Sequence, residues 1–187
     1  GVAISKACTL GIARTFQNIR LFTDLRVLDN IMVGLHARTR TSMFGTWLPT
    51  PGAIREEREA EVAAVHYLDF VGLLRFANDI ADNLSYGDQR RLEIARALAA
   101  DPTLLLLDEP AAGMNPQETA DLMQLIEKIR DAGVTVCLIE HDVKLVMQIS
   151  DYVYVLDHGE LIAHGTPAVV REDPKVIEAY LGCEEDE

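Results

Sequence analysis

The chain has 187 residues, of which 49% are apolar and 25% are charged, so length and composition fit one folded domain and exclude a disordered chain. Its formal net charge of -13 argues against a nucleic-acid-binding surface, because such surfaces need clustered lysine and arginine. The three cysteines are widely spaced, which predicts neither a zinc site nor a disulfide framework, and no apolar run approaches the roughly 18 residues of a membrane span.

The first part of the chain predicts one short strand and two helices. Residues 12–16, with the sequence IARTF, are typical of a strand that ends at Gln17. Apolar residues at helical spacing predict one helix over 26–37 and a second over 54–71. The segment between them, 39–53, contains two prolines and two glycines, and it is therefore predicted to be a loop.

Strands and helices alternate in the second half of the chain, which predicts an α/β domain. Two apolar strands, 103–107 and 134–139, are expected to be buried on both faces, as in a parallel sheet. Asn115 is predicted to cap a helix, because Pro116 and Glu118 follow it at the positions of a capping box. The other predicted elements are helices at 87–100, 116–130 and 142–150, a strand at 152–156 that enters a hairpin turning at His158–Gly159, and short helices that begin at Pro167 and Pro174.

Three regions are expected along the chain. A helical subdomain over 20–82, with an insert at 39–60, is set into an α/β core over 83–166, and C-terminal helices with an acidic tail occupy 167–187. The core begins midway through an open, mainly parallel sheet and has no glycine-rich turn. This pattern predicts a core that is shortened at its N-terminus.

The most informative segment is LLLLDEP, residues 104–110, where a buried strand ends in Asp108 and Glu109. Ligands of α/β folds bind at the carboxyl edge of the sheet, where such a strand places its last side chains. One carboxylate at this edge can hold Mg²⁺, usually through water, and the next can polarise an attacking water. The alternative is a buried strand that ends in an acidic turn.

Four other residues are candidates for the same chemistry. Ser85 and Gly87 open a helix whose free N–H groups favour an anion, although Ser85 can also be a simple N-cap. Gln17 follows a strand and can bind a metal-bound water, or it can be a surface residue in a loop. His141 follows a strand and can hydrogen-bond a phosphate oxygen, or it can pair with a carboxylate at a helix entry.

Together, these segments resemble the nucleotide-binding subunit of an ABC transporter. GIARTFQ resembles the Q-loop region, LSYGDQRR the signature motif, LLLLDEP the Walker B strand, AAGMNP the D-loop and IEHD the segment with the switch histidine. Asn115 stands where the D-loop usually has aspartate, and Tyr86 and Asp88 stand where the signature motif commonly has glycine and glutamine. The insert at 39–60 and the ending VIEAYLG are similar to the branched-chain amino-acid importer ATPases of the hydrophobic amino-acid uptake family.

The resemblance implies an ABC-type ATPase with a P-loop NTPase-type fold, an inserted helical subdomain, and ATP and Mg²⁺ as cofactors. It implies that Gln17 senses the γ-phosphate and Mg²⁺, that Asp108 binds Mg²⁺ through water, and that Glu109 is the general base. It further implies that His141 is the switch residue, that Ser85 and Gly87 contact the γ-phosphate of ATP held by a partner protomer, and that Asn115 lies at the dimer seam.

The same resemblance implies the partners and the location of the chain. The implied partners are two membrane-spanning permease subunits, a second ATPase subunit in a homo- or heterodimer and, indirectly, a periplasmic binding protein. No nucleic-acid partner is implied. The subunit would be cytoplasmic and peripheral on the inner face of a bacterial inner membrane. It would couple ATP hydrolysis to the import of branched-chain or other hydrophobic amino acids.

One motif of the family has no counterpart in this sequence. A P-loop, GxxxxGK[ST], would precede the Q-loop, but none of the 12 glycines is followed by lysine. We therefore expect the chain alone to bind ATP weakly and not to hydrolyse it. The alternative function is a non-hydrolysing, degenerate subunit that docks on a membrane partner, and intact Asp108, Glu109 and His141 count against it. A DNA-repair or chromosome-maintenance ATPase of the same superfamily lacks support, because the charge is wrong for DNA.

Overall fold

Three parallel strands form the sheet of the first of two structural units. The structure, a computed structural model, describes residues 10–36 and 51–181. The strands are β1, Ile12–Arg14, β2, Leu104–Asp108, and β3, Thr135–Ile139, in the order β1-β2-β3. The first unit ends with β3. The predicted α/β class with a parallel sheet is confirmed.

Strand β2 is the buried centre of this sheet, and β3 is not. Leu105 and Leu107 of β2 are fully buried. In β3, by contrast, Thr135, Cys137 and Ile139 are exposed. The expectation that both strands are buried on both faces is therefore wrong for β3, because its exposed residues alternate along the strand and share one face, which the described residues leave uncovered.

Three helices of the first unit pack on one another: α1, Val27–His36, α2, Pro51–Phe70, and α3, Tyr86–Leu98. The predicted helices near 26–37 and 87–100 are confirmed with small shifts at their ends. No helix in the described ranges is both long and apolar enough to span a membrane. The apolar side of α1 is buried, as its periodicity predicts, and consists of Val27, Leu28, Ile31 and Leu35.

The start of α2 differs from its prediction. The helix begins at Pro51 and not at residue 54, so the loop predicted for 39–53 is wrong at its last three positions. Proline is favourable at the first position of a helix, because its missing N–H is not needed there and its φ is already helical. The rest of the predicted loop, with Trp47, lies outside the described residues.

The capping box predicted at Asn115 is confirmed at the start of α4, Pro116–Asp131. The Asn115 side-chain oxygen accepts hydrogen bonds from the N–H groups of Gln117 and Glu118, at 2.9 and 3.0 Å. The Glu118 carboxylate in turn accepts the Asn115 N–H at 3.0 Å. Asparagine caps a helix about as well as aspartate, so this cap does not require an aspartate at position 115.

The second unit, from Glu140 onward, is built on an antiparallel hairpin. Strands β4, Val153–Asp157, and β5, Glu160–Gly165, are joined by the predicted turn at His158–Gly159. Both turn residues have positive φ, 48° and 83°, as a type I′ hairpin turn requires. The unit also contains the helices α5, Val143–Ile149, α6, Pro167–Arg171, and α7, Pro174–Val176, and a core of Val153, Ala163, Val170 and Val176.

Gly34 lies where α1 approaches α3 and yields a stability prediction. A Cβ at Gly34 would overlap the backbone carbonyl oxygen of Arg96 and lie 3.1 Å from the Ala99 Cβ. Gly34→Ala is therefore expected to lower the free energy of unfolding by about 1–3 kcal/mol, as overpacking does. Helix propensity alone predicts the opposite sign, a gain of about 1 kcal/mol.

Urea denaturation followed by circular dichroism measures the effect of Gly34→Ala. Val33→Ala is the matched control, because Val33 is the neighbouring residue of the same helix and is 38% exposed. Its midpoint is expected to stay close to that of the parent chain. A Gly34→Ala midpoint equal to or above that of the parent would show that α1 and α3 are not in close contact at this position.

Candidate functional site

The parallel pairing of β1 and β2 brings Gln17 to Glu109. Arg14 pairs with Leu106 in the ladder, and Gln17 and Glu109 each follow three residues later. The Gln17 Nε2 donates a hydrogen bond of 2.8 Å to the Glu109 Oε2. Two candidates that are 92 residues apart in the chain therefore meet at the carboxyl edge of the sheet, where α/β folds bind ligands.

Asp108, the other acidic residue at this edge, is paired with Arg14. The Arg14 guanidinium donates to the Asp108 Oδ2 at 2.8 Å, and the two side chains are 53% and 26% exposed. Arg14 and Arg20 also lie over the Phe16 ring, at 5.4 and 4.6 Å from its centroid. Because an exposed ion pair contributes only about 0–1 kcal/mol, Arg14 can leave Asp108 when another cation approaches.

The backbone at Glu109 is unusual for a residue with a side chain. Its φ is +43°, in the left-handed region that favours glycine. The Glu109 N–H donates to the Ile139 carbonyl at 2.9 Å, and the Glu109 carbonyl accepts the Ala112 N–H at 3.2 Å. These bonds hold a sharp turn immediately after β2, at a cost of about 1–3 kcal/mol.

Ser85 and Gly87 lie at the start of α3, and each has a partner within the chain. The Ser85 Oγ accepts the Asp88 N–H at 3.2 Å and donates to the Asp88 carboxylate at 3.0 Å, so Ser85 is the N-cap. Gly87 is buried, and a Cβ there would lie 2.9 Å from the Glu118 Oε1. Contact of Ser85 and Gly87 with a phosphate of a second protomer stays a prediction.

His141 lies at the start of the second unit. Its Nδ1 lies 3.9 Å from the Glu140 Oε2, and its side chain is 74% exposed. This contact fits the alternative noted from the sequence, a histidine beside a carboxylate at a helix entry. The role of His141 as the switch residue stays a prediction.

A buried ion pair in α3, between Arg90 and Glu93, was not predicted from the sequence. The guanidinium and the carboxylate are 2.9 Å apart, and their side chains are 0% and 2% exposed. Arg90 also donates to the carbonyl oxygens of Phe16 and Gln17, each at 2.7 Å. Opposite charges at i and i+3 on a helix signal a pair in the sequence, but an exposed pair has the same signal.

A second arginine of α3 is also affected by burial. Desolvation lowers the pKa of the Arg96 guanidinium, and the nearby Glu93 carboxylate opposes that shift. Arg96 remains charged all the same, because guanidinium groups are not deprotonated in proteins. Its guanidinium lies 5.7 Å from the centroid of the Phe22 ring.

The donor set at this edge suits a metal that is shared with phosphates. The described residues contain no group of three or more His, Cys, Asp or Glu side chains that could hold a metal by themselves. Asp108, Glu109 and Gln17 nevertheless offer carboxylate and amide oxygens near one strand end. Mg²⁺ is usually bound by one or two carboxylates together with phosphates and waters, so these residues fit a phosphate-bound Mg²⁺.

The sheet, the order of the motifs and this edge define an ATP-binding cassette, and comparison with family models agrees. The model described as ABC transporter matches residues 4–112, and the model described as Branched-chain amino acid ATP-binding cassette transporter matches residues 160–183. The chain therefore belongs to the ABC transporter family, as an ATPase-type cassette with an α/β P-loop NTPase fold.

Individual relatives in this family are ATP-binding proteins of amino-acid transport and a solved ATP-binding cassette. The chain is 48% identical over 183 residues to the high-affinity branched-chain amino acid transport ATP-binding protein LivG of Escherichia coli K12, and 49% identical to BraF of Pseudomonas aeruginosa. Each match covers 97% of this chain and 72% of the relative. Among solved structures, the ADP conformation of MJ1267, an ATP-binding cassette of an ABC transporter, matches with a TM-score of 0.77 and 31% identity, covering 95% of this chain and 71% of that one.

Proposed function

We propose that this chain is the ATP-binding and ATP-hydrolysing subunit of an importer for branched-chain or other hydrophobic amino acids. The observation that supports it most directly is the hydrogen bond between Gln17 and Glu109 at the carboxyl edge of the sheet. The names of LivG and BraF support the cargo class, since both are called branched-chain amino acid transport ATP-binding proteins.

Each site residue has a proposed role in hydrolysis. Mg²⁺, when bound with ATP, supplies positive charge that stabilises the transferred phosphoryl group. Asp108 would hold the cation through water, beside or in place of the Arg14 guanidinium that is bonded to its Oδ2. Glu109 would accept a proton from the attacking water. Gln17 would sense the γ-phosphate and Mg²⁺, and its hydrogen bond to Glu109 would orient that carboxylate. His141 would contact the γ-phosphate as the switch residue.

The composite site also needs a second subunit. Ser85 and Gly87 would contact the γ-phosphate of ATP on the partner protomer, and Asn115 would lie at the seam between the two. The proposed assembly consists of two ATPase subunits and two membrane-spanning permease subunits on the inner face of the membrane, fed indirectly by a periplasmic binding protein. The cassette family of the chain supports this arrangement.

We predict that the chain alone binds Mg-ATP poorly. No glycine in its sequence is followed by lysine, so the 187 residues contain no P-loop to surround the phosphates. Isothermal titration of the chain with Mg-ATP is expected to show no saturation below about 1 mM, which corresponds to a binding free energy weaker than about 4 kcal/mol. Escherichia coli LivG, titrated in the same buffer, is the positive control.

A micromolar dissociation constant in that titration would contradict the predicted weakness of binding. The second candidate function, a non-hydrolysing subunit that docks on a membrane partner, is favoured only by the missing P-loop. Addition of a P-loop segment separates the two functions, because a degenerate site would stay inactive after the addition.

A further inference from the structure

We propose that Arg90 is a positioning residue, which holds the backbone at Phe16 and Gln17 so that the Gln17 amide meets Glu109. The catalytic meaning of this contact rests on the proposed function. The positioning itself is a property of the chain without nucleotide. It can therefore be tested separately from ATP hydrolysis.

The hydrogen bonds of Arg90 cross a long separation in the chain. Its NH1 donates to the Phe16 carbonyl and its NH2 to the Gln17 carbonyl, both at 2.7 Å and across more than 70 residues. Strand β1 ends at Arg14, and its last ladder bond comes from the Thr15 N–H to Leu106. Arg90 therefore binds the chain just past the last strand pairing, and it donates to the Phe16 and Gln17 carbonyl oxygens, which the sheet does not pair.

Glu93 fixes Arg90 and also reaches the same segment. Both side chains are buried, and the Glu93 Oε2 lies 2.9 Å from the Arg90 NH1. The Glu93 Oε1 accepts the backbone N–H of Arg20 at 3.2 Å. The pair therefore binds the segment after β1 at two places, on the carbonyls of residues 16 and 17 and on the amide of residue 20.

The same guanidinium is connected to the start of α3. The Arg90 NH2 lies 3.3 Å from the Tyr86 hydroxyl, and its guanidinium lies 5.9 Å from the Tyr86 ring centroid. Tyr86 directly follows Ser85, which is the N-cap of the helix. A displacement of the start of α3 would therefore act on Arg90 and, through it, on the backbone that carries the Gln17 amide.

Lysine cannot replace arginine in this position. A guanidinium presents several donors in one rigid plane, whereas an ammonium is a single point charge on a flexible stem. Lysine at position 90 could still neutralise Glu93, but it could not hold two successive carbonyls in one geometry. Arg90→Lys therefore distinguishes the neutralisation of Glu93, which lysine retains, from the bonds to the two carbonyls, which lysine loses.

The test measures the ¹⁵N and ¹H chemical shifts and the hydrogen exchange of the Gln17 side-chain amide by NMR, in the chain without nucleotide. A Glu109→Ala variant, which lacks the acceptor, defines the shift of the unbonded amide. The double variant Arg90→Met/Glu93→Leu removes both charges together, which often leaves stability nearly unchanged. Arg91→Met is the matched control, because Arg91 is the next residue of α3 and pairs with Asp88 at 2.8 Å rather than with Glu93.

In the double variant we expect the chemical shift of the Gln17 amide to change most of the way to its value in Glu109→Ala, and its hydrogen exchange to become faster. Arg91→Met is expected to leave the chemical shift unchanged. Arg90→Lys, which keeps the charge balance and so the fold, is expected to move it in the same direction. An unshifted Gln17 amide in folded Arg90→Lys or in the folded double variant would overturn the proposal. Failure of the chain to act on ATP would leave these NMR results unaffected.

Discussion

Replacing Arg90 alone with methionine is expected to lower the free energy of unfolding by about 3–5 kcal/mol. The substitution takes from the Glu93 carboxylate, whose side chain is 2% exposed, the cation that lies 2.9 Å away, and leaves it the Arg20 N–H and the nearby Arg96. It also removes the donors to the Phe16 and Gln17 carbonyls. A buried charge that loses its closest counter-ion keeps most of its desolvation cost, so the loss exceeds that of an ordinary hydrogen bond.

Urea denaturation compares Arg90→Met with Arg91→Met, which removes the same side chain one residue further along α3. In the Arg91–Asp88 pair the side chains are 26% and 12% exposed, and Asp88 keeps the Ser85 hydroxyl as a donor, so replacing Arg91 is expected to cost less than replacing Arg90, about 1–2 kcal/mol. Addition of Glu93→Leu to Arg90→Met should recover much of the lost stability. Equal midpoints for Arg90→Met and Arg91→Met would contradict a buried ion pair at this position.

Glu109→Gln is expected to reduce ATP turnover about 10²–10⁴-fold in a form of the chain that has a P-loop. That form is made by joining a strand–P-loop–helix segment of the GxxxxGK[ST] type upstream of residue 1. Glutamine keeps the size of the side chain and a carbonyl oxygen for the Gln17 hydrogen bond. It cannot accept a proton from the attacking water, so the predicted loss is in kcat.

Glu127→Gln is the matched control for this measurement, because Glu127 lies on an exposed position of α4. Its turnover is expected to equal that of the parent chimera in a phosphate-release assay. Equal turnover in the Glu109→Gln chimera would exclude Glu109 as the general base. A folded parent chimera that binds ATP without hydrolysing it would favour the alternative function, a non-hydrolysing subunit.

The candidate site lies at strand ends, where two constraints fix the positions of its residues. Parallel pairing of β1 and β2 sets the register that brings the two segments together. Arg90 extends this control past the end of β1, to the residues that carry the Gln17 side chain. Each of these constraints comes from a rigid element, so the site is aligned before any ligand binds.

The sequence by itself determined the features that depend on neighbours within a few positions. The capping box at Asn115 and the hairpin turn at His158–Gly159 are of this kind, and so is the placement of Asp108 and Glu109 at a strand end. Their signals lie in three to seven consecutive residues, where backbone preferences and side-chain hydrogen bonds act locally. The order of such segments was sufficient to indicate the family.

Only the tertiary structure decided which distant groups meet. The pairs Gln17–Glu109 and Arg14–Asp108 join residues more than 90 positions apart, and the Arg90 bonds to Phe16 and Gln17 cross more than 70. The exposure of one face of β3 likewise depends on what packs on that face of the described sheet. Burial and long-range contact depend on what packs above each residue, and no short stretch of sequence contains that information.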